Sequence, residues 1–272
     1  MKAKCGKLID AVRAQKPLVH HITNYVTVND CANITLAIGA SPVMADDINE
    51  AADITRISSA LVINMGTLNE RTIASMLASG KAANASGTPV IFDPVGVGAS
   101  TFRNDSANRI LEEIKIGVLR GNLSEIKQIA GMQSTTKGVD VSQDDLISKD
   151  DAIAVAKKLS DELSCVVAIT GAVDIITNGK TALCIENGHP MLANITGTGC
   201  MCSSLIGSFC GAKPDLILEA TVSALLTMGI AGEIAFANAV DKGNGSFRTA
   251  LHDAVSKMDA QTLIGRAKIY EA

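Results

Sequence analysis

A chain of 272 residues with 47% apolar and 19% charged residues can build a large core, and it lacks the low hydrophobicity that keeps chains disordered. Its 23 Gly stand against five Phe, two Tyr and no Trp, which makes the core aliphatic and argues against a stacking platform for single-stranded nucleic acid. A net charge of −4 and a pI near 5.6 give no basic footprint, so no nucleic-acid partner is expected.

The first residues, Met1-Lys2-Ala3-Lys4-Cys5-Gly6-Lys7, lead into Leu8-Ile9-Asp10 rather than an apolar run, and no signal peptide is expected there. Apolar runs of strand length then recur at 17–20, 60–64, 89–93, 117–120 and 165–170. Their continuous hydrophobicity predicts strands buried on both faces of a parallel sheet. Segments 69–85, 104–116 and 149–163 carry helical spacing; in the second, Ile110, Leu111 and Ile114 share one face while Arg109, Glu112, Glu113 and Lys115 turn to solvent. The runs Asp174 to Thr177 and Thr181 to Ile185 flank Asn178-Gly179-Lys180, a hairpin signal that predicts an antiparallel edge after the parallel strands. From Met201 onward the chain reads as mostly helical. The apolar stretch from Leu216 to Val240 is interrupted by Glu219 and Glu233, which predicts a buried core helix and no membrane span.

Strand and helix alternate without a linker or repeat, so the expected fold is one α/β layered domain over residues 1–272, a central mostly parallel sheet flanked by helices. The seven cysteines are scattered and form no C-x-x-C pair, and a reducing, cytoplasmic setting is expected.

In open α/β sheets ligands bind at the carboxyl ends of the strands, and three such places carry chemistry. The turn Thr196-Gly197-Thr198-Gly199-Cys200 opens a long helical run, where the backbone N–H groups of Gly197, Thr198, Gly199 and Cys200 form an expected anion hole. Cys200 falls in the first turn of that helix, where a lowered thiol pKa is expected. The run Phe92-Asp93-Pro94-Val95-Gly96 ends a strand on an acid, and Asp93 there can support a hydrated metal or simply satisfy the turn. Arg120-Gly121-Asn122-Leu123-Ser124-Glu125 adds a cation and a second acid; Asn122 and Glu125 are also spaced as a capping box. The histidines His20, His21, His189 and His252 show no metal-ligand spacing. Met44 can be ordinary core or line a pocket for a flat ring.

Seven segments together resemble the hydroxyethylthiazole kinase family of the ribokinase-like fold. They are His21-Ile22-Thr23-Asn24-Tyr25-Val26, Ala37 to Met44, Asn64-Met65-Gly66-Thr67-Leu68, Asp93 to Ala99, Arg120 to Ile126, Ile169-Thr170-Gly171 and Thr196 to Cys200. The resemblance implies transfer of the ATP γ-phosphoryl group to the primary alcohol of 4-methyl-5-(2-hydroxyethyl)thiazole in thiamine salvage. By position it implies thiazole contacts at Met44, Gly197 and Asn24, nucleotide contacts at Arg120 and Thr170, and support of Mg2+ by Asp93 and Glu125. Cys200 stands where most ribokinase-like enzymes carry a catalytic aspartate. It is expected to accept or relay the alcohol proton, a phosphocysteine intermediate being the less favoured variant. A homotrimer with sites at subunit interfaces is implied as well. The chain departs from the family pattern at Thr198, more often Ala, and at Asn244, where Pro is common. The alternatives are a same-fold kinase for another heterocyclic alcohol such as hydroxymethylpyrimidine, a lyase of the nicotinamide-hydrate dehydratase type, and a catalytically silent nucleotide-binding regulator.

Overall fold

A computed structural model describes residues 1–131 and 148–272. Five of its strands coincide with the continuous apolar runs: β1 (Leu18–Ile22), β3 (Ala60–Asn64), β4 (Val90–Asp93), β5 (Val118–Asn122) and β6 (Val166–Thr170). With β2 (Ser41–Met44) they make six parallel strands, and β7 (Asp174–Thr177), β8 (Ala182–Ile185) and β9 (Ile269–Glu271) continue the sheet antiparallel. The spatial order is β2-β1-β3-β4-β5-β6-β7-β8-β9.

Side chains alternate across this sheet into two separate cores. Val19, Val62, Ile91, Val118 and Ala168 face one, and Leu61, Ile63, Phe92, Leu119 and Val167 face the other. The first core is closed by α1 (Lys2–Gln15), α2 (Val28–Ile38), α8 (Thr198–Ala212), α9 (Ile217–Ala239), α10 (Asn244–Ser256) and α11 (Ala260–Arg266). The second lies under α3 (Ala51–Arg56), α4 (Glu70–Ser86), α5 (Thr101–Glu113), α6 (Leu123–Ile129) and α7 (Lys149–Leu163). Burial on both faces is why these strands read as unbroken apolar runs. It is also why α9, long and apolar enough to cross a membrane, has 78% of its apolar window buried in the protein, as the core-helix reading expected.

One helix boundary and two edge strands differ from the sequence pattern. The α5 helix runs from Thr101 to Glu113 rather than over 104–116, because Ser100 caps it three residues earlier and Ile114 turns extended. Ile114 and Ile116 are then drawn into the second core, as the chain enters β5. Strands β2 and β9 lie at the two edges and carry too few apolar residues to be read; Pro42 is tolerated in β2 because an edge strand leaves one side unpaired. At the departure Asn244, the side-chain amide donates to the Asn194 carbonyl (2.9 Å) and ties the start of α10 to the turn that precedes α8.

Candidate active site

The parallel strands deliver polar residues to one rim of the sheet. Asn64 and Asp93 are register partners at the ends of β3 and β4, as are Asn122 and Thr170 at the ends of β5 and β6. The start of α8 sits over this rim. Gly197, at φ +84°, turns the chain into that helix, and a Cβ there would also press on Thr27 Cγ2 at 2.6 Å.

Asp93 is the centre of the arrangement and is fully buried. Its Oδ2 accepts from Ser203 Oγ (2.7 Å) and Asn64 Nδ2 (2.9 Å), with Arg120 Nη1 at 3.5 Å. Its Oδ1 is buried with no protein partner. Arg120 also donates through Nη2 to Thr170 Oγ1 (2.6 Å). The guanidinium lies so close under the α8 turn that a Cβ on Gly199 would come within 2.6 Å of Nη1. A buried cation, paired with one carboxylate, thus sits beneath a helix N-terminus whose first N–H groups have no intrahelical acceptors. That combination suits an anion.

Glu125 joins the site less directly. Its two oxygens accept from the Gly96 N–H (2.8 Å) and the Asn122 N–H (2.8 Å), and Asn122 Oδ1 accepts from the Glu125 N–H (2.9 Å). The capping box therefore exists, and it also clamps the loop that follows Asp93. Burial, then the neighbouring Asp93 charge, pushes the Glu125 carboxyl up to about 7 against the pull of those two N–H groups and Arg120.

Cys200 receives two amide donors, Asn24 Nδ2 and Asn64 Nδ2, each at 3.3 Å from Sγ. The expectation of a lowered thiol pKa is corrected here. Burial, followed by the charge of Asp93, raises it, and the bonds from Thr27 and Asn24 with the charge of Arg120 only partly offset this. The helix terminus is too weak a field to reverse the desolvation. The Asn24 amide also donates to Asn64 Oδ1 (2.9 Å), and its own oxygen accepts from the Thr27 N–H and hydroxyl (both 3.1 Å). Its polar atoms thus serve the protein around Cys200.

One cavity borders the α8 turn, and a second lies at the ends of β1 and β2. The first, of about 560 Å³, is lined by Arg120, Thr170, Asp174, Thr198 and Gly199 at its polar end and by Leu192 and Met228 toward its apolar end. Within it, burial pushes the Asp174 carboxyl up to about 7 despite the Gly171 N–H and Arg120. The other, about 260 Å³, contains Met44 with His21, Thr23, Tyr25 and Thr67. Met44 thus faces a pocket rather than filling the core. A larger cavity of about 740 Å³ between α9 and α10 touches none of these groups.

A sequence model of the hydroxyethylthiazole kinase family matches residues 9–261. A hydroxyethylthiazole kinase of Ruminiclostridium cellulolyticum is 61% identical over 97% of this chain and 96% of its own length, and one of Clostridium beijerinckii is 61% identical over 98% and 97%. The chain belongs to the hydroxyethylthiazole kinase family. A solved hydroxyethylthiazole kinase structure from Pyrococcus horikoshii superposes with a TM-score of 0.89 at 36% identity, covering 98% of both chains. A ribokinase-like superfamily protein of Enterococcus faecalis, with a TM-score of 0.64 at 12% identity, shares the fold. The fold expected from the family resemblance is therefore the observed one. Of the expected site residues, the structure brings Asp93, Arg120, Thr170, Cys200 and Asn24 into one hydrogen-bonded cluster, with Glu125 behind it and Met44 in a separate cavity at the end of β2. Two members of the cluster had no role in the sequence reading, Asn64 and Ser203. Ser203 lies one helical turn after Cys200, a spacing that puts both on the face of α8 turned to Asp93.

Proposed function

We propose that this chain transfers the γ-phosphoryl group of ATP to the primary alcohol of 4-methyl-5-(2-hydroxyethyl)thiazole, releasing ADP and the thiazole phosphate. The observation that carries the reading is the anion cradle under the α8 turn, which opens on the cavity of about 560 Å³, with the smaller cavity at Met44 lying by the carboxyl ends of β1 and β2 on the same side of the sheet. ATP occupies the larger cavity with its phosphates toward Arg120, Thr170 and the α8 N–H groups. The thiazole ring occupies the smaller one, with its alcohol toward Cys200.

Phosphoryl transfer passes through a loose transition state, so positioning and charge stabilisation contribute more than a strong base. Arg120 and the N–H groups of Gly197 to Cys200 stabilise charge on the transferring group. Cys200 Sγ orients the alcohol, which keeps its proton until bond formation is advanced. A hydrated Mg2+ fits the donor set: the bare, buried Asp93 Oδ1 is an oxygen in need of a cation, whereas both Glu125 oxygens are committed to backbone N–H groups. Asp93 would hold the ion and Glu125 would add charge from behind; when bound, the ion neutralises phosphate oxygens.

The active form in this reading is a homotrimer with sites at subunit interfaces. Tyr25 and Val26, 79% and 56% exposed beside the small cavity, supply apolar surface for a second copy to cover. Residues 1–272 act as one domain, and the seven free thiols suit the cytoplasm.

An ATP-consumption assay with the thiazole alcohol, hydroxymethylpyrimidine and other small alcohols tests the assignment. The thiazole alcohol is expected to give the highest kcat/KM, and preference for another alcohol, or no turnover of any, overturns it. Two substitutions separate the cavities. Met44→Ala should raise KM for the thiazole about tenfold, equivalent to ~1.4 kcal/mol, and leave KM for ATP within about twofold. Gly199→Ala should do the reverse, because its new methyl group displaces the Arg120 guanidinium. A rise of about tenfold in KM for ATP is expected from initial-rate kinetics.

A further inference from the structure

We infer that Asn64 is a positioning residue that sets where the Cys200 sulphur stands relative to Asp93, and so where the acceptor alcohol stands relative to the transferring group. This rests on the kinase reading above. Asn64 is 1% exposed, and its amide makes contacts to four separate groups. Its Oδ1 accepts from Asn24 Nδ2 (2.9 Å) and from the Gly66 N–H (2.9 Å). Its Nδ2 donates to Asp93 Oδ2 (2.9 Å) and to Cys200 Sγ (3.3 Å).

These partners fix the orientation of the amide. Flipping it would set an NH2 group against the Gly66 N–H and a carbonyl oxygen against the Asp93 carboxylate, so the donor face must point at Asp93 and Cys200. The two hydrogens of one planar amide therefore bridge the group that faces the alcohol and the acid beneath the phosphates. Asn24 completes the clamp by donating both to Asn64 Oδ1 and to the same sulphur. With two amide donors fixing it, the sulphur is held in one place, as a preorganised centre requires. A residue that merely satisfied the end of β3 would need neither the Cys200 bond nor the double engagement of Asn24.

The experiment is a double-mutant cycle of Asn64→Ser with Cys200→Ala, read in kcat and in both KM values on protein whose thermal unfolding matches the parent. At pH 9 Asn64→Ser alone should lower kcat about 5- to 10-fold with both KM values within about threefold. In the Cys200→Ala background the same substitution should cost less than about threefold, since the group it positions is gone. Equal losses in both backgrounds would overturn the inference, as would an unchanged kcat or a loss confined to KM. Asn24→Ala, which removes the other donor to the sulphur, provides a second cycle with the same expected coupling should Asn64→Ser fold poorly. Absence of thiazole phosphorylation in the parent protein would instead count against the kinase reading itself.

Discussion

Asp93→Asn should lower kcat by at least about 1,000-fold, the largest loss expected of any single substitution at this site. The wild-type carboxylate is fully buried and its Oδ2 meets a hydroxyl, an amide and a guanidinium, all donors. An asparagine can offer these only its oxygen, which leaves an NH2 group where the bare Oδ1 had been and deprives Arg120 of its counter-charge. The first change removes the oxygen available to a cation, typically worth several kcal/mol of transition-state stabilisation. The second leaves a buried cation uncompensated, which costs about 3–5 kcal/mol of folding stability. The variant should therefore also unfold at a lower temperature and need more Mg2+ for half-maximal rate. Glu125→Gln provides the contrast. Both of its oxygens serve backbone N–H groups, so its loss should show mainly as instability of the α6 start and the Gly96 loop, with about a tenfold loss of kcat. A magnesium titration unchanged in Asp93→Asn would remove the metal role from this residue.

The rate should climb with pH between about 6 and 9, and Cys200→Asp should abolish that slope. Burial and the Asp93 charge hold the Cys200 thiol above its ordinary value, so the thiol is overwhelmingly protonated at pH 7 and its ionised form increases about tenfold per pH unit below its pKa. If the thiolate is the form that takes the alcohol proton, kcat follows that rise. A carboxylate in the same place titrates near 4 when unperturbed, so Cys200→Asp should give a flat profile across pH 6–9 and about a tenfold higher kcat at pH 7. Cys200→Ala should be slower than the parent at pH 9 by about 10-fold and nearly equal to it at pH 6. A Cys200→Ala profile that overlays the parent throughout would show that the sulphur takes no proton. Initial rates at saturating substrates across the pH range measure all three.

Much of this architecture was legible because the parallel strands are buried on both faces. That burial writes unbroken apolar runs into the sequence at 60–64, 89–93 and 165–170, each ending near the rim. Edge strands carry no such signature: β2 contains Ser41 and Pro42, and β9 is three residues long, so neither stood out. At the site, Asp93, Arg120 and the α8 turn were legible from chemistry at strand and helix ends. The sign of the Cys200 shift was not, because spacing reports a helix terminus and says nothing of how deeply a thiol is buried beside a carboxylate. Asn64 was visible only as the last residue of a strand. Its partner Cys200 lies 136 residues away, a distance across which only the folded chain carries information.

That separation has a consequence for how the protein comes to be active. The centre is completed by contacts to α8, and the Asn24–Cys200 and Asp93–Ser203 bonds span 176 and 110 residues. All six parallel strands precede α8 in the chain. During synthesis the sheet can therefore gather while its rim still lacks the Gly197–Cys200 turn, and contacts of such long sequence separation close late in folding. An incomplete chain exposes Arg120 and Asp93 but has no cradle for phosphate, so it cannot spend ATP on water before Cys200 is in place.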